Sequence, residues 1–464
     1  MRTLLILFAT TAALAQSAQQ TQTSYTTENL RGVSAVSQNI AWASGTHGTY
    51  LRTTDAGRHW IPAQVPGAES LDFRAVVAFS PSEAFLMSAG PGDQSRIYHT
   101  TDSGQHWQLQ FTNENPKGFF DSMVFWNPTH GLLLGDPIPD ETGKPKFELL
   151  MTNDGQSWTH IPPSQLPAAE EGEAAFAASN TCLAILSTSV ANKSPVILSG
   201  DSQSAERTDC RSRRTPCTST SPSAPQGVLT TDAALPPQPQ TPVVASRQSF
   251  AVPSAVVIPS AARDFGFASA TNEPALTQPP TQPWQTGASA PRQSPEKNGA
   301  LAPDPNIWFA TGGRVARVFH SPDRGQSWEV FDTPLVHGPD SAGIFSIAFS
   351  DPTHGVIAGG DYKHPEQDGP NLAFTTDAGK TWTLSKIFPQ AYYSAVAYDR
   401  KTTNQDHPRV FLIGPKFIYD FRPPKNPTRI SPPKKSGIEF NAASPYPQGG
   451  VLVVGPKGSI ATIP

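Results

Sequence analysis

Carboxylates recur in this chain at one place in a repeated octapeptide, and paired carboxylates are the groups that acid–base and glycoside-cleaving chemistry require. The octapeptide has the pattern Ser/Thr-x-Asp-x-Gly-x-x-Trp and first occurs from Thr53 to Trp60, with its carboxylate at Asp55. Further copies pair Asp102 with Trp107, Asp323 with Trp328 and Asp377 with Trp382. A degenerate copy ends at Trp158 and places Asn153 where the other copies have aspartate.

The residue types of the octapeptide favour a structural role for its carboxylate. A short aspartate side chain can hydrogen-bond backbone N–H groups one or two residues further along the chain and so close a turn. The glycine two positions later supplies a positive φ at no steric cost, and the tryptophan is a large apolar anchor between neighbouring units. The pattern therefore predicts a hairpin between two outer strands rather than a catalytic aspartate.

The octapeptide returns about every fifty residues, which indicates an array of identical supersecondary units. Apolar runs that end in glycine, such as residues 40–45 and 355–359, look like the buried strands of these units. The long gap between Trp158 and Asp323 contains residues 187–304, which are dominated by Ser, Pro, Gln, Thr and Ala. Such a composition buries too little apolar surface to fold, so we predict a disordered insert inside one unit.

Seven units can be counted along the chain. Five carry an octapeptide, and a sixth begins at Tyr392 and has a Pro-rich turn in its place. The seventh, residues 438–463, has room for three strands, and the segment near Ser24–Thr26 is the candidate for its fourth. Because closing a ring removes exposed sheet edges, the sequence predicts an all-β, seven-bladed β-propeller of four-stranded blades, formed by residues 16–186 and 305–464.

Composition and the first residues bear on the compartment. The net charge of −4 and the pI of about 6.3 provide no basic field that would attract nucleic acid. Arg2 precedes a short apolar core, and Ala13-Leu14-Ala15 is a small-x-small cleavage site. We therefore predict a signal peptide over residues 1–15, cleavage after Ala15, and export to the periplasm or the medium. No other apolar run in the sequence is long enough to span a bilayer.

Cysteine and histidine do not suggest a metal or cofactor site. Cys182 lies in an apolar run and is predicted to be a buried thiol. Cys210 and Cys217 lie in the insert and could form a local disulfide in an oxidising compartment. His130 and His354 end matching Asn/Asp-Pro turns in separate units, which favours turn residues over metal ligands.

These repeats resemble the Asp-box, or BNR, repeats of sialidase-like propellers. The sequence most resembles exported bacterial relatives of the photosystem II stability/assembly factor family, through residues 42–55, 95–102 and 345–349. This resemblance covers nearly everything outside the signal and the insert, and it implies a non-enzymatic binding or assembly role. Sialidases also carry a Phe/Tyr-Arg-Ile-Pro motif, an Arg triad and a Tyr–Glu pair, whereas Arg96 here stands in a Ser-Arg-Ile-Tyr run that leads into an octapeptide.

The candidate binding residues come from the loops of one propeller face. Loops on a rigid scaffold are where binding residues concentrate, and those that lead into the innermost strands or join the second and third strands surround the channel. They offer Arg31, Arg74, Asp121, Asp136, Glu173, Arg314, Asp361, Tyr362, Tyr393 and Glu439. We expect a monomeric binding protein, without cofactor, whose partner at this face is a protein or a glycan. The alternative is a sialidase- or xyloglucanase-like glycoside hydrolase with an essential carboxylate on these loops.

Overall fold

The computed structural model describes residues 19–186, 306–386, 391–415, 417–423, 428–430 and 439–464. These residues form seven antiparallel sheets, each with four strands of one blade, and one sheet is extended by two short strands. The described helical turns are two short 3₁₀ turns, Gly92–Gln94 and Pro163–Gln165. No helix within the described ranges is long and apolar enough to cross a membrane. The predicted signal, residues 1–15, and the predicted insert, residues 187–304, lie outside the described residues, as do Cys210 and Cys217.

The first three blades are built from consecutive strands. Strand β1 (Gln20–Gln22) precedes them and belongs to the last blade. Blade 1 contains β2 (Leu30–Ala35), β3 (Ala41–Gly45), β4 (Thr49–Thr53) and β5 (Ile61–Gln64); blade 2 contains β6 (Phe73–Ala78), β7 (Ala84–Ser88), β8 (Arg96–Thr100) and β9 (Gln108–Thr112); blade 3 contains β10 (Phe120–Asn127), β11 (His130–Pro139), β12 (Pro145–Thr152) and β13 (Thr159–His160). In each blade the first of these strands is the innermost.

The remaining blades include the interrupted one. Two short strands, β14 (Glu173–Ala174) and β17 (Gly312–Gly313), pair with each other and extend the sheet of blade 5. Blade 4 contains β15 (Leu183–Ile185), β16 (Ile307–Ala310), β18 (Arg317–Ser321) and β19 (Glu329–Asp332); blade 5 contains β20 (Ala342–Phe349), β21 (Gly355–Asp361), β22 (Leu372–Thr375) and β23 (Thr383–Leu384); blade 6 contains β24 (Ala395–Tyr398), β25 (Val410–Ile413), β26 (Ile418–Phe421) and β27 (Thr428–Ile430); blade 7 contains β28 (Ala442–Pro445), β29 (Val451–Gly455) and β30 (Ser459–Ile463).

The N-terminal strand closes the ring. Strand β1 pairs with β30, from Gln20 opposite Thr462 to Gln22 opposite Ile460, and so supplies the fourth strand of blade 7. The strand lies just before the segment Ser24–Thr26 that the sequence suggested, and Tyr25 stands in a bend after it. The predicted seven-bladed propeller of four-stranded blades is thereby confirmed.

The hydrophobic core is divided among the blade interfaces. Seven apolar clusters occur in the described part of the chain, and each joins residues of two neighbouring blades. The cluster between blades 7 and 1 contains Leu452, Leu51 and Trp60, and the next contains Trp42 and Phe73. Since every blade buries both faces of its sheet against its neighbours, the apolar runs between turns follow from this ring geometry.

The octapeptides form tight turns between the third and fourth strands. Asp55 Oδ1 accepts hydrogen bonds from the backbone N–H of His59 at 3.0 Å and from the hydroxyl of Thr53 at 2.9 Å. The Thr53 hydroxyl oxygen in turn accepts the N–H of Gly57 at 3.0 Å. Gly57 has a φ of +77°, which a glycine adopts without steric cost. The carboxylate thus satisfies the turn backbone, as the residue types predicted, but it bonds the N–H four residues on rather than one or two residues on as expected.

The third copy of the octapeptide departs from the predicted assignment. Its acceptor is the carboxylate of Asp154, whose Oδ1 accepts the N–H groups of Gln156 and Ser157, each at 2.8 Å. The prediction of Asn153 for this position was wrong. This copy lacks the residue that separates aspartate and glycine elsewhere, so the carboxylate moves next to Gly155, whose N–H still bonds Thr152 at 2.9 Å.

Candidate functional site

The innermost strands of four blades begin with a β-bulge at the same position. The ladder skips one residue between the first and third positions of β2, β6 and β10 and near the start of β20. The skipped residues are Arg31, Arg74, Asp121 and Phe345. A bulge re-aims a side chain out of the regular alternation, so four blades present one side chain each at the end of the ring where the innermost strands begin. We call this end the mouth.

Two arginines at the mouth share one carboxylate. Arg74 Nε donates to Asp72 Oδ2 at 2.9 Å, and a terminal nitrogen of Arg31 lies 3.7 Å from the same oxygen. The Nε of Arg31 is buried and has no hydrogen-bond partner among the described residues. Burial lowers the pKa of Arg31, and the neighbouring charge of Arg74 adds to this effect while Asp72 opposes it. The cluster of Arg31, Arg74 and Asp72 therefore has two guanidinium charges and one carboxylate charge.

Blade 3 contributes three carboxyl groups behind the mouth. Asp121 and Glu148 are each 1% exposed, and each has one carboxyl oxygen without a hydrogen-bond partner in the described ranges. Burial, followed by the nearby charge of Asp136, raises the pKa of Asp121 well above its ordinary value. Burial raises the pKa of Asp136 to about 7, against a hydrogen bond that favours its charged form. Burial also raises the pKa of Glu148, whose other oxygen accepts from Asn113 at 2.8 Å.

A chain segment without regular structure covers these carboxyl groups. We call residues 175–181, between β14 and β15, the channel segment. The N–H of Ala175 donates to Asp136 Oδ1 at 3.0 Å, and the N–H of Ala177 faces Asp121, where it opposes the effect of burial on the pKa of that carboxyl. A terminal nitrogen of Arg74 donates to the carbonyl oxygen of Ala177 at 3.3 Å. Side chains of the inner strands thus hold the backbone of the segment.

The channel segment crosses the ring from side to side. Ala177 bonds Arg74 of blade 2, whereas the hydroxyl of Ser179 donates to the carbonyl oxygen of Ser394, at the start of blade 6, at 2.6 Å. Blades 2 and 6 stand on opposite sides of a seven-bladed ring. Thr181 accepts from the N–H of Ile347 of blade 5 at 2.8 Å. A segment with partners on opposite sides must lie near the central axis, so it occupies the channel at this level.

Aromatic side chains form the other half of the mouth. The ring of Phe176 stacks on that of Phe345, with centroids 4.0 Å apart. Tyr392 meets Phe345 edge to face at 4.7 Å, and Tyr362 does so at 6.2 Å. Tyr362 is 49% exposed and therefore presents an aromatic surface to solvent at the rim. Aromatic rings on one side and guanidinium groups on the other suit a ligand that has both apolar and anionic parts.

The structure brings together about half of the residues that the sequence suggested. Arg31, Arg74, Asp121 and Asp136 lie in the cluster just described, and Tyr362 stands at the aromatic rim. The other five are elsewhere or engaged: Glu173 is buried against Arg317 and Thr311, Arg314 is exposed beside Glu171, Asp361 bonds His364 within its own loop, Tyr393 is fully buried between blades 5 and 6, and Glu439 is exposed before β28.

Sequence reasoning missed Asp72, Phe176, Phe345 and Tyr392. For Phe345 a signal existed, because Ile344-Phe345-Ser346 repeats the apolar–x–small pattern of Leu30-Arg31-Gly32 at the start of an innermost strand. Phe176 had no such signal, since the channel segment belongs to no repeat. Cys182, which follows the segment, is a buried free thiol as predicted, and burial raises its pKa.

No protein-family model and no curated protein matches this sequence. Among solved structures, it is similar to YCF48 bound to D1 peptide, with 13% identity, 97% of this chain and 96% of that chain covered, and a TM-score of 0.36. It is also similar to YCF48 from Cyanidioschyzon merolae, with 13% identity, coverage of 96% and 98%, and a TM-score of 0.47.

A third similar structure is the GH74 xyloglucanase from Xanthomonas campestris, with 12% identity and a TM-score of 0.49. This comparison covers 96% of the present chain but 53% of the xyloglucanase chain, so the present chain spans about half of that enzyme's length. At these identities the likenesses concern the fold alone.

Proposed function

We propose that this protein is a non-enzymatic, assembly-factor-like propeller that captures a carboxylate-bearing segment of a partner protein at its mouth. The observation that carries the proposal is the incomplete pairing of the Arg31 guanidinium. Its guanidinium is partly buried, makes one long contact to a carboxylate that Arg74 already holds, and keeps its Nε without a partner among the described residues.

The physical argument concerns the cost of a desolvated cation. A guanidinium that has lost part of its hydration and is incompletely paired gains free energy when an external carboxylate binds it through two parallel N–H···O bonds. The side chain of Arg31 is 28% exposed, so such a carboxylate has access from solvent. Exposed Tyr362 on the opposite rim offers apolar contact to the residues that flank the carboxylate.

A library of short peptides with free C-terminal carboxylates, measured against the same peptides with C-terminal amides, tests this proposal. We expect carboxylate-dependent binding that weakens as salt is raised and that Arg31→Gln removes, because exposed charges are screened within about 10 Å at 0.1 M salt. Arg58→Gln is the matched control, since Arg58 is an exposed arginine in the octapeptide turn at the other end of the same blade. Binding that is equal for acids and amides, or insensitive to Arg31→Gln, would refute the proposal.

Glycoside hydrolysis is the second candidate, and one observation favours it. Asp121 and Asp136 are neighbouring carboxyl groups, and each has a raised pKa, as the general acid of a glycosidase has. Against it, the channel segment lies over these carboxyls: the N–H of Ala175 bonds Asp136, and Asp121 is buried, so a sugar cannot reach them in this arrangement. A screen against sialosides and plant β-glucans decides between the two functions. Turnover that disappears with Asp136→Asn, at an unchanged melting temperature, would favour the hydrolase.

We also propose that the chain is an exported Asp-box propeller that acts as a monomer. The octapeptide pattern and the apolar run before Ala15 support this proposal. N-terminal sequencing of the protein recovered from the periplasm or medium is expected to begin at Gln16. Recovery from the cytoplasm with Met1 retained would contradict export.

A further inference from the structure

We infer that the channel segment is an internal pseudo-ligand. The channel beneath the mouth is a peptide-binding site for an extended segment with an aromatic residue between small residues. The middle of the channel segment, residues 175–179, occupies this site until a partner's segment displaces it. This inference deepens the proposed function, because it adds a second contact for a protein partner at the same end of the ring.

The channel holds the segment by its backbone. Asp136 accepts the N–H of Ala175 at 3.0 Å, Arg74 donates to the carbonyl oxygen of Ala177, and the N–H of Ala177 faces Asp121. These contacts recognise peptide groups rather than side chains. Any extended segment that follows the same course can therefore make them, which is how backbone-directed peptide recognition works in general.

The large side chain that the channel contacts in this segment is that of Phe176. Its ring stacks on Phe345 and lies against Gly312, where a Cβ would collide with the ring, and beside Gly343, where a Cβ would collide with the Cα of Gly312. Gly343 also has a φ of +152°, in a region that favours glycine. These residues form a flat slot that fits an aromatic ring, and Phe176 is only half-buried in it, so the slot is open to the mouth.

The segment has the features of a displaceable element. The alanines on both sides of Phe176 contribute little apolar area, so its apolar anchoring is concentrated in one ring. Firm anchors stand at its two ends: Glu173 pairs with Arg317, and Asn180 Oδ1 accepts the N–H of Met123 at 2.7 Å. Gly172 and Asn180 have φ values of +75° and +61°. The ends can stay attached while the middle swings out.

The charged side chains around the channel segment favour an occupant without charge of its own. The cationic groups that face the channel segment are Arg74 and, beside it, Arg31, and the acidic groups are Asp72, Asp121 and Asp136. Arg74 donates both to Asp72 and to the carbonyl oxygen of Ala177. Among the described residues the channel therefore offers no unpaired cation to an anionic side chain, whereas Arg31, which makes only a long contact to Asp72, remains at the mouth for the carboxylate proposed above.

A blocked eight-residue peptide with the sequence of residues 174–181 (AAFAASNT) tests the inference as a probe added in trans. The apparent affinity of a site is reduced by the fraction of molecules in which it is occupied by its own segment. Phe176→Ala weakens that occupancy, so we expect this variant to bind the peptide at least about tenfold more tightly than the wild-type chain. A control peptide with alanine in place of phenylalanine should bind neither protein.

Hydrogen exchange in the wild-type chain gives a second measurement that does not depend on a variant. Saturating peptide should speed exchange of the Ala175 and Ala177 amides, because Ala175 loses its acceptor Asp136 and Ala177 leaves its buried position. A folded Phe176→Ala variant with no gain in affinity would overturn the inference, and so would amides whose exchange saturating peptide leaves unchanged. The peptide has no carboxylate, so a failure here leaves the Arg31 proposal standing, and the loss of Arg31-dependent binding leaves this inference standing.

Discussion

Trp60 and Gln22 are joined across the closure of the ring: the indole Nε1 of Trp60 donates to Gln22 Oε1 at 2.8 Å. Gln22 also donates to the Thr462 hydroxyl at 3.0 Å, so one side chain of β1 links the last blade to the first. The same relationship recurs between blades 2 and 3, where Trp158 Nε1 donates to Gln110 Oε1 at 3.0 Å. A glutamine on the outermost strand thus holds the octapeptide tryptophan of the following blade.

We expect Gln22→Leu to lower the free energy of unfolding by about 1–3 kcal/mol, because it leaves a buried indole N–H without an acceptor. Gln110→Leu should lower the free energy of unfolding by a similar amount, because it removes the acceptor of the Trp158 indole. Gln108→Leu, which changes an exposed glutamine on the same strand as Gln110, is the control and should cost little. Chemical denaturation of the three variants checks this. Equal stability of Gln22→Leu and the wild type would show that the bond is unimportant for closure.

The octapeptide tryptophans should contribute unequally to stability. Trp60 is 2% exposed, whereas Trp328 is only half-buried and its indole nitrogen has no hydrogen-bond partner among the described residues. We expect Trp60→Ala to cost about 3–5 kcal/mol and Trp328→Ala distinctly less. Asp323→Ala should cost about 1 kcal/mol through its lost turn bonds. The reverse order of the two tryptophans, measured by denaturation, would contradict this packing argument.

The carboxyl of Asp136 should give stability a pH dependence of definite sign. Its pKa is raised to about 7 in the folded chain, against an ordinary value of about 4, so the folded state retains a proton that the unfolded state has released. The contribution of the Asp136 carboxyl to the free energy of unfolding is therefore fully present below about pH 4 and is lost as the pH rises to about 7.

Melting temperatures measured across this range should show the decline in the wild type and a flatter profile in Asp136→Asn. Asp361→Asn is the matched control. Its hydrogen bonds, chiefly to His364, lower the pKa of Asp361 against the effect of burial, so its stabilising contribution is lost as the pH falls. Identical pH profiles for Asp136→Asn and the wild type would rule out this role.

Removing residues 187–304 should leave the propeller folded. Ile185 pairs with Ile307 at the open end of the β15–β16 ladder, so a short Gly/Ser turn can join the two strands. We expect the shortened chain to keep a single cooperative thermal transition by calorimetry. A chain that fails to fold after this replacement would show that the insert has a structural role.

Turn chemistry is local, and for this reason the sequence by itself determined the blades. Aspartate, glycine and tryptophan at fixed spacing specify a hairpin wherever they occur, and counting them predicted the number of blades and the interrupted one. The same reasoning failed at Asn153, where a single deletion moved the acceptor to Asp154. Arg31, Arg74 and Asp121 were found because they occupy equivalent places in repeated units.

Only the tertiary structure decided what fills the channel. Residues 175–181 have no periodicity and no turn signature, and their partners lie in four different blades, from Arg74 to Ser394. A contact between opposite sides of a ring depends on where the ring closes, which no local pattern encodes. The exposure of Arg31 and the burial of Tyr393 have the same origin, because both depend on how neighbouring blades pack around the axis.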